Sequence, residues 1–287
     1  MSETCLRHEG VATPVAKRMG SARISLTASP ARPTEGVECD GGVDMRNWIE
    51  FWDSDHAIYV NARHKAAHAE GIASDFRRHI AAAGTPRPVV LDHGCGEALY
   101  AEAIAADCGT LLLCEAAPTI RARLAERVAG LANVRTLAPD EVAPGAIPPV
   151  DLVIANSLLQ YLKRAELEAL LDTWKRVLAP SGRVLLCDVI PPGVSPITDA
   201  TALLRFAARE GFATAAFTGL VKTALSDYGR IRKSLGFSMY TEADMLALLT
   251  SHGYVAKRVY PNFGHNQARM TFEGRLNQAD AMIAASS

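Results

Sequence analysis

The sequence lacks several features that would assign it to particular classes of protein. Its 287 residues include six cysteines, but there is no C-x-x-C pair and no zinc-site spacing. The formal net charge is only −1, so the chain lacks the excess of positive charge that is typical of nucleic-acid-binding proteins. No apolar run is long enough to span a bilayer, and the first residues lack the apolar core of a signal peptide. We therefore expect a soluble cytoplasmic protein with no nucleic-acid partner and no membrane span.

What the sequence does contain is typical of a globular enzyme. Apolar residues make up 49% of the chain and charged residues 21%. Residues 1–42, rich in Ser, Thr, Pro and Gly, predict a disordered leader, although a start codon chosen too far upstream would give the same pattern. Residues 43–85 predict an N-terminal helical cap, because apolar residues from Ala67 to Ile80 recur at roughly helical spacing.

From residue 86 onward the pattern alternates between strands and helices. Five short apolar runs predict strands, namely PVVLDHG, TLLLCEA, NVRTLA, VDLVIANS and GRVLLCDVI. Residues 97–107 predict a helix after the first strand, and residues 139–149 predict a loop with at most a short helix. Residues 196–236 predict inserted helices, and GYVAKRVY and ARMTFEGRL predict a closing antiparallel pair. The predicted fold is α/β, a doubly wound, mostly parallel seven-stranded sheet with an antiparallel last strand.

The sharpest motif, VVLDHGCGEAL, follows the first strand. The strand ends in Asp92, and Gly94 and Gly96 predict a tight turn that leads straight into a helix and lets the backbone approach a ligand closely. This turn resembles the first motif of class I methyltransferases that depend on S-adenosylmethionine, D-x-G-C-G-x-G. In that family the glycines meet the amino-acid end of the cofactor. The match covers Asp92, Gly94, Cys95 and Gly96, and Ala98 stands at the third glycine position.

The resemblance implies S-adenosylmethionine as cofactor and further binding residues after the strands. Glu115, about twenty residues past the glycines, would accept the ribose hydroxyls, with a solvated strand-end carboxylate as the alternative. Asp140, or alternatively Glu141, would face the adenine amino group. Asn156 and Ser157 would lie near the amino-acid end of the cofactor, with helix capping as the alternative for Ser157.

The cap segment IYVNARHKAAH resembles the N-terminal helices that fold over the cofactor in many small-molecule methyltransferases. The resemblance implies that Tyr59 and Arg63 contact the cofactor. An aromatic face beside a sulfonium is a cation–π arrangement, and a guanidinium pairs with a carboxylate. His64 and His68 are one helical turn apart, but Lys65 stands where the zinc-protease motif needs Glu, so no metal is predicted.

The candidate catalytic residues follow the later strands, at the predicted carboxyl edge of the sheet. A hydroxyl or amine acceptor must lose a proton, and His265 and Asp188 are the candidate bases. For His265 the alternative is a turn histidine with satisfied hydrogen bonds. Tyr161 is a candidate at the substrate mouth, with core packing as the alternative.

The inserted helices of residues 196–236 predict a substrate lid within a methyltransferase domain of residues 86–287. Their apolar and basic residues favour a small-molecule acceptor, mostly apolar with a polar or acidic group. The alternative is a set of amphipathic helices that pack on the sheet and present a solvated basic face.

Two other functions are compatible with this kind of sheet. An NAD(P)-dependent oxidoreductase also uses an acidic residue after the second strand. However, Asp92, the Gly-Cys-Gly string, the closing antiparallel pair and the lack of a Tyr-x-x-x-Lys pair favour the methyltransferase. A protein that binds S-adenosylmethionine without transferring its methyl group is the second alternative. The acceptor atom and the oligomeric state stay open, and a homodimer is one arrangement that the sequence allows.

Overall fold

The structure, a computed structural model, describes residues 45–53, 59, 61–224 and 237–277. The predicted leader, residues 1–42, lies outside the described residues, as does the last part of the predicted lid from residue 225. Within the described ranges, no helix combines the length and the apolar character that a membrane span needs.

Seven strands and eight α-helices lie in these described ranges. The strands are β1 (Val89–His93), β2 (Thr110–Cys114), β3 (Val134–Leu137), β4 (Val150–Asn156), β5 (Leu178–Val189), β6 (Tyr254–Val259) and β7 (Met270–Leu276). The helices are α1 (Met45–Asp53), α2 (Ala62–Ala81), α3 (Ala101–Ile104), α4 (Pro118–Val128), α5 (Arg164–Val177), α6 (Pro196–Glu210), α7 (Ala213–Ala224) and α8 (Glu242–Ser251). Short 3₁₀ turns span Ala105–Asp107, Pro139–Glu141 and Leu159–Tyr161.

The strands form a single sheet in the order β3-β2-β1-β4-β5-β7-β6. Strands β1 to β5 pair in parallel, whereas β7 is antiparallel to both β5 and β6. The predicted fold class is therefore confirmed. Strand β1 lies between β2 and β4, so the strand order reverses beside it, and in such sheets ligands bind at the carboxyl ends of the strands near this reversal.

Apolar helix faces cover both sides of the sheet, as expected for strands that are apolar on both faces. On one side, α5 and α8 pack Leu171, Trp174 and Leu248 against the strands. On the other side, α2 contributes Ile72 and Phe76, which are 3% and 0% exposed. The cap helix α2 therefore belongs to the core of the sheet, which makes it a rigid support for residues near its start.

The segment after the glycine turn differs from the prediction. A helix was expected over residues 97–107, yet α3 begins only at Ala101 and a 3₁₀ turn follows it. The reason is backbone geometry, because Gly94, Gly96 and Ala98 have φ angles of 78°, 56° and 38°, which a right-handed helix excludes. The prediction that the turn leads straight into a helix is wrong, and the turn itself supplies the N–H groups at the strand end.

The insertion after β5 is helical, as predicted, as far as it is described. Helix α6 begins at Ser195, whose hydroxyl accepts a hydrogen bond from the backbone N–H of Thr198, and ends at Gly211 with a φ of 79°. Phe206 and Phe212 of this region pack with Ala67 of α2 in a small separate core. The insertion is therefore joined to the cap.

Candidate functional site

The glycine turn is anchored on the neighbouring strand. The backbone N–H groups of Gly94 and Cys95 donate to the carbonyl oxygen of Cys114 at 2.8 and 3.1 Å. A Cβ at Gly94 would lie 2.8 Å from Leu158 Cδ1, whereas a Cβ at Gly96 would meet nothing within 4 Å. The φ of 78° favours glycine at position 94, where a Cβ would also displace the end of the Leu158 side chain, and position 96 leaves open space through which a ligand can approach the backbone.

Glu115 ties the turns after β1 and β2 together. Its carboxylate accepts hydrogen bonds from the N–H of Gly96 at 2.7 Å and of Ala117 at 2.8 Å. Burial raises the pKa of this carboxyl group, and the backbone N–H groups oppose that effect. Each oxygen keeps further acceptor capacity, so the side chain is held in place without being saturated.

Asp92 is 1% exposed and lies at the end of β1. The hydroxyl of Tyr100 donates to its carboxylate, and the Tyr100 ring stacks on Phe76 of α2 at 4.8 Å. Burial raises the pKa of Asp92 to about 7, the Tyr100 hydrogen bond lowers it, and the charge of Glu115 raises it further. Asp92 thus links the glycine turn to the cap helix.

The remaining predicted cofactor contacts follow β3 and β4. Asn156 ends β4, and its side-chain Oδ1 is buried with no hydrogen-bond partner among the described residues. A buried acceptor without a partner is costly in a protein, and a bound ligand is one way in which it can be satisfied. Asp140 is exposed in a 3₁₀ turn, whereas the carboxylate of Glu141 accepts a 2.6 Å hydrogen bond from the N–H of Ala138. Of the two alternatives, Asp140 has the more accessible carboxylate.

A network of charged side chains joins the sheet edge to α6. Arg269 donates to Asp188 at 2.6 Å, to Asp199 of α6 at 3.1 Å and to Gln160 at 3.3 Å. Ser157 donates to the same oxygen of Asp188 at 2.7 Å. Burial raises the pKa of Asp188, and the guanidinium of Arg269 opposes that effect. The predicted base Asp188 is thus engaged in an ion pair with Arg269, and the hydroxyl of the predicted cofactor residue Ser157 is engaged in a hydrogen bond to Asp188.

Sequence reasoning missed Arg269 and Asp199 entirely. Neither belongs to a motif, and their pairing spans 70 residues along the chain. Asn266 reinforces the pair by donating to the other oxygen of Asp199 at 2.8 Å. The only pointer in the sequence is an arginine near the start of a predicted strand, which is too common to single out.

Three histidines cluster beside this network. His265 stacks on Phe206 with ring centroids 4.8 Å apart, and His64 stacks on Phe212 at 4.9 Å. Burial lowers the pKa of His68 and of His265 to about 4, and the charge of neighbouring histidines adds to the effect. Both rings are therefore neutral at neutral pH. Within the described part of the chain, no group of three or more His, Cys, Asp or Glu residues has the arrangement of a metal site.

Tyr59 connects this histidine cluster with the glycine turn. Its ring lies 5.4 Å from that of His64 and 5.7 Å from that of His68. Burial raises the pKa of Tyr59 to about 12, and the charge of Glu97 in the glycine turn raises it further. Lys65 also pairs with Glu97 at 2.9 Å. The histidine cluster and the candidate cofactor turn are thus neighbours.

The other two predicted site residues have partners within the protein. Arg63 binds Glu210 of α6 through its side chain and its backbone oxygen, each at 3.0 Å. Its guanidinium therefore ties the cap to the inserted helices. Tyr161 packs against Trp48 at 4.7 Å and Trp52 at 5.8 Å, which is the packing alternative stated for it.

The strand order with an antiparallel β7, together with the glycine turn after β1, defines a Rossmann-like fold of the class I methyltransferase type. Residues 90–182, from β1 into β5, match a sequence family described as a methyltransferase domain. This match confirms the resemblance to methyltransferases that the glycine motif indicated. A search of curated proteins finds no match.

Solved structures with the same fold include two bacterial proteins. The SAM-bound CalS10, an amino pentose methyltransferase from Micromonospora echinaspora, is 17% identical, with 78% of this chain and 100% of that chain covered and a TM-score of 0.50. DesVI from Streptomyces venezuelae is 13% identical, with 73% and 92% covered and a TM-score of 0.50. At these identities the likeness shows the fold.

Proposed function

We propose that the protein is an S-adenosylmethionine-dependent methyltransferase that acts on a small molecule. The observation that carries the proposal is the open space over Gly96, on a turn that Glu115 holds, at a sheet edge where Asn156 keeps an unpartnered buried oxygen. A ligand with a ribose and an amino-acid group satisfies all three features. The match of residues 90–182 to a methyltransferase domain supports this choice over other nucleotide ligands.

The residues at the glycine turn fit this cofactor. When bound, S-adenosylmethionine supplies an electrophilic methyl group on a sulfonium. The open space over Gly96 lets the cofactor approach the backbone. Glu115 accepts hydrogen bonds from the ribose hydroxyls, because its two contacts with backbone N–H groups leave further acceptor capacity. Asn156 accepts a hydrogen bond from the ammonium of the amino-acid end. Asp140 accepts one from the adenine amino group.

Asp92, Gly94 and Cys95 shape the turn instead of presenting side chains to the cofactor. The Asp92 carboxylate is occupied by Tyr100, and Gly94 is packed against Leu158. Tyr59 borders the sulfonium end with its ring, where an aromatic face attracts a cation. Arg63 acts through its pairing with Glu210, which holds the cap and the inserted helices around the site.

The acceptor side consists of His265, Asp188 and Tyr161. We assign the proton-accepting role to His265, because its imidazole is neutral at neutral pH and so keeps one unprotonated ring nitrogen for an acceptor hydroxyl or amine. Asp188 is a positioning residue, since one of its oxygens accepts from both Ser157 and Arg269. Tyr161 forms part of the edge of the substrate opening, where its ring packs against Trp48 and Trp52. A homodimer and a cytoplasmic location stay predictions, and no nucleic-acid partner is proposed.

Calorimetric titration of the full chain with S-adenosylmethionine, S-adenosylhomocysteine and NADH tests the cofactor. We expect both sulfur compounds to bind and NADH not to bind. Gly96→Ala should weaken their binding about ten-fold or more, because the added methyl group fills the approach to the backbone. Gly84→Ala is the matched control, since Gly84 also has a positive φ of 80° and open space but precedes β1, at the opposite end of the strand.

Each other result of this titration points elsewhere. If NADH binds and neither sulfur compound does, the protein would instead be assigned as an NAD(P)-dependent oxidoreductase. Binding of S-adenosylmethionine with no methyl transfer to any of a broad panel of acceptors would favour a protein that binds the cofactor without using it. If Gly96→Ala and Gly84→Ala lost affinity for the sulfur compounds equally, Gly96 would not be part of the cofactor site.

A further inference from the structure

A cavity of about 330 Å³ lies between α2, α6 and the connection from β6 to β7. Ala67 and Ile72 of α2 form an apolar wall, and His68, Phe206 and His265 supply rings. Small-molecule sites of proteins begin at about 300 Å³. The cavity is therefore of a size for a ligand with one ring and a few substituents.

The rings of this cavity present flat faces and neutral polar atoms. Phe206 and His265 are stacked with an interplanar angle of 17°, so together they form an aromatic surface. His68 lies on the same cavity and is also in ring contact with Tyr59. A neutral imidazole offers one donor and one acceptor, which suits a hydroxyl group.

The charges around the cavity leave one cation without a partner. Asp75 pairs with Arg78 at 2.8 Å and accepts a hydrogen bond from the N–H of Gly264 at 2.6 Å. Glu210 pairs with Arg63 at 3.0 Å. Both carboxylates are thus neutralised by the protein, whereas Arg209 has no ion pair among the described residues. The cavity therefore favours an anionic ligand.

The cavity also lies next to the candidate methyl-transfer site. Tyr59 contacts His68 on the cavity side, and the charge of Glu97 in the glycine turn acts on the same tyrosine. Tyr59 thus borders both the cavity and the turn that we propose to hold the cofactor.

We propose that this cavity binds the methyl acceptor, and that the acceptor is a single-ring aromatic carboxylate with a hydroxyl group. The ring lies against Phe206 and His265, the carboxylate pairs with Arg209, and the hydroxyl faces the two imidazoles. In the reaction the hydroxyl oxygen bonds to the methyl carbon as the methyl–sulfur bond breaks, and the hydroxyl proton passes to His265. This inference rests on the proposed function for its chemistry, but not for the binding itself.

Titration of the full chain with three probes tests the cavity. The probes are 4-hydroxybenzoate, phenol, which lacks the carboxylate, and trans-4-hydroxycyclohexanecarboxylate, which lacks the aromatic ring. We expect 4-hydroxybenzoate to bind about ten-fold more tightly than either of the others, because a charge-assisted hydrogen bond and an aromatic contact each contribute. Arg209→Gln should remove the advantage over phenol. Arg205→Gln is the matched control, since Arg205 is an exposed arginine of the same helix outside the cavity.

The inference is overturned if none of the probes binds, if phenol and 4-hydroxybenzoate bind equally, or if the two arginine variants behave alike. These results are separate from a failure of the proposed function. If 4-hydroxybenzoate binds as expected while S-adenosylmethionine does not, the cavity assignment holds and the methyltransferase proposal fails. If S-adenosylmethionine binds and 4-hydroxybenzoate does not, the cofactor assignment holds and this acceptor class is excluded.

Discussion

The glycine-turn side of the site and the Arg269 side are built in different ways. On the glycine-turn side, partners are close in sequence, with separations of 8 positions for Tyr100 and Asp92 and 19 positions for Gly96 and Glu115. On the Arg269 side, the arginine reaches Asp188 over 81 residues. The first side therefore appears as a local sequence motif, whereas the second exists only once the chain has folded.

The two sides also differ in the groups that they use. Around the glycine turn, backbone N–H groups hold the side chain of Glu115, and positive φ angles shape the loop. Around Arg269, side chains hold one another in a partly buried network of charges. Substitution should therefore act through backbone strain on one side and through uncompensated charge on the other.

The largest effect is expected on the Arg269 side. Arg269→Met leaves Asp188 and Asp199 without their shared cation, which should lower the free energy of unfolding by about 3–5 kcal/mol. The control is Arg258→Met, which removes a strand arginine paired with the half-exposed Glu242 and should cost about 1 kcal/mol or less. Urea denaturation measures both. Similar losses in the two variants would show that the Arg269 network is no stronger than a surface pair.

The next effect concerns the two glycines of the turn. Gly94→Ala should cost about 2–3 kcal/mol, because it combines a positive φ with a close approach to Leu158. Gly96→Ala should cost about 1 kcal/mol, since only the φ strain applies. In a Leu158→Ala background the penalty of Gly94→Ala should shrink towards that of Gly96→Ala. Urea denaturation of the single and double variants tests this, and an unchanged penalty would contradict the packing explanation.

The dependence of stability on pH should have opposite signs on the two sides. The pKa of Asp92 is raised from 3.8 to about 7, so the folded state binds more protons in that window and stability falls as pH rises through it. The pKa of His265 is lowered from 6.5 to about 4, so the unfolded state binds more protons there and stability rises with pH. Each full proton corresponds to about 1.4 kcal/mol per pH unit.

Two variants separate these contributions between pH 4 and 6.5. Relative to the unsubstituted protein, Asp92→Asn should make the stability rise more steeply with pH, and His265→Gln should make it rise less steeply. Urea denaturation at half-unit intervals gives the slopes. A change of the same sign in both variants would contradict the assignment of the two protonation states.

The smallest effect is expected at Ser157, which bonds to Asp188 on the Arg269 side. Ser157→Ala removes its hydrogen bond to Asp188 and should cost about 1 kcal/mol. Ser157→Gly loses the same bond but relieves a φ of 54°, so it should cost less than the alanine variant. Thermal denaturation of the two variants gives the comparison. A glycine variant less stable than the alanine variant would show that the backbone here is not strained.

Much of the fold could be predicted because it depends on local patterns. The strands are short apolar runs between turn residues, and Thr241 with Asp244 marks the start of α8 by a capping box. The segment after the glycine turn was predicted less well, because residues 97–107 have helix-forming composition while Ala98 takes a positive φ. There the close packing of the turn on β2 overrides helix propensity.

The sequence alone therefore determined the sheet, the glycine turn and the class of domain, since each follows from residues that act on their near neighbours. Only the tertiary structure decided that Arg63 pairs with Glu210, that Arg269 joins Asp188 to Asp199, and that His68 and His265 share a cavity. Long-range contacts of this kind produce no repeating pattern in the amino-acid sequence. They depend on which elements the folded sheet brings to one edge, and side chains from distant segments find their partners only there.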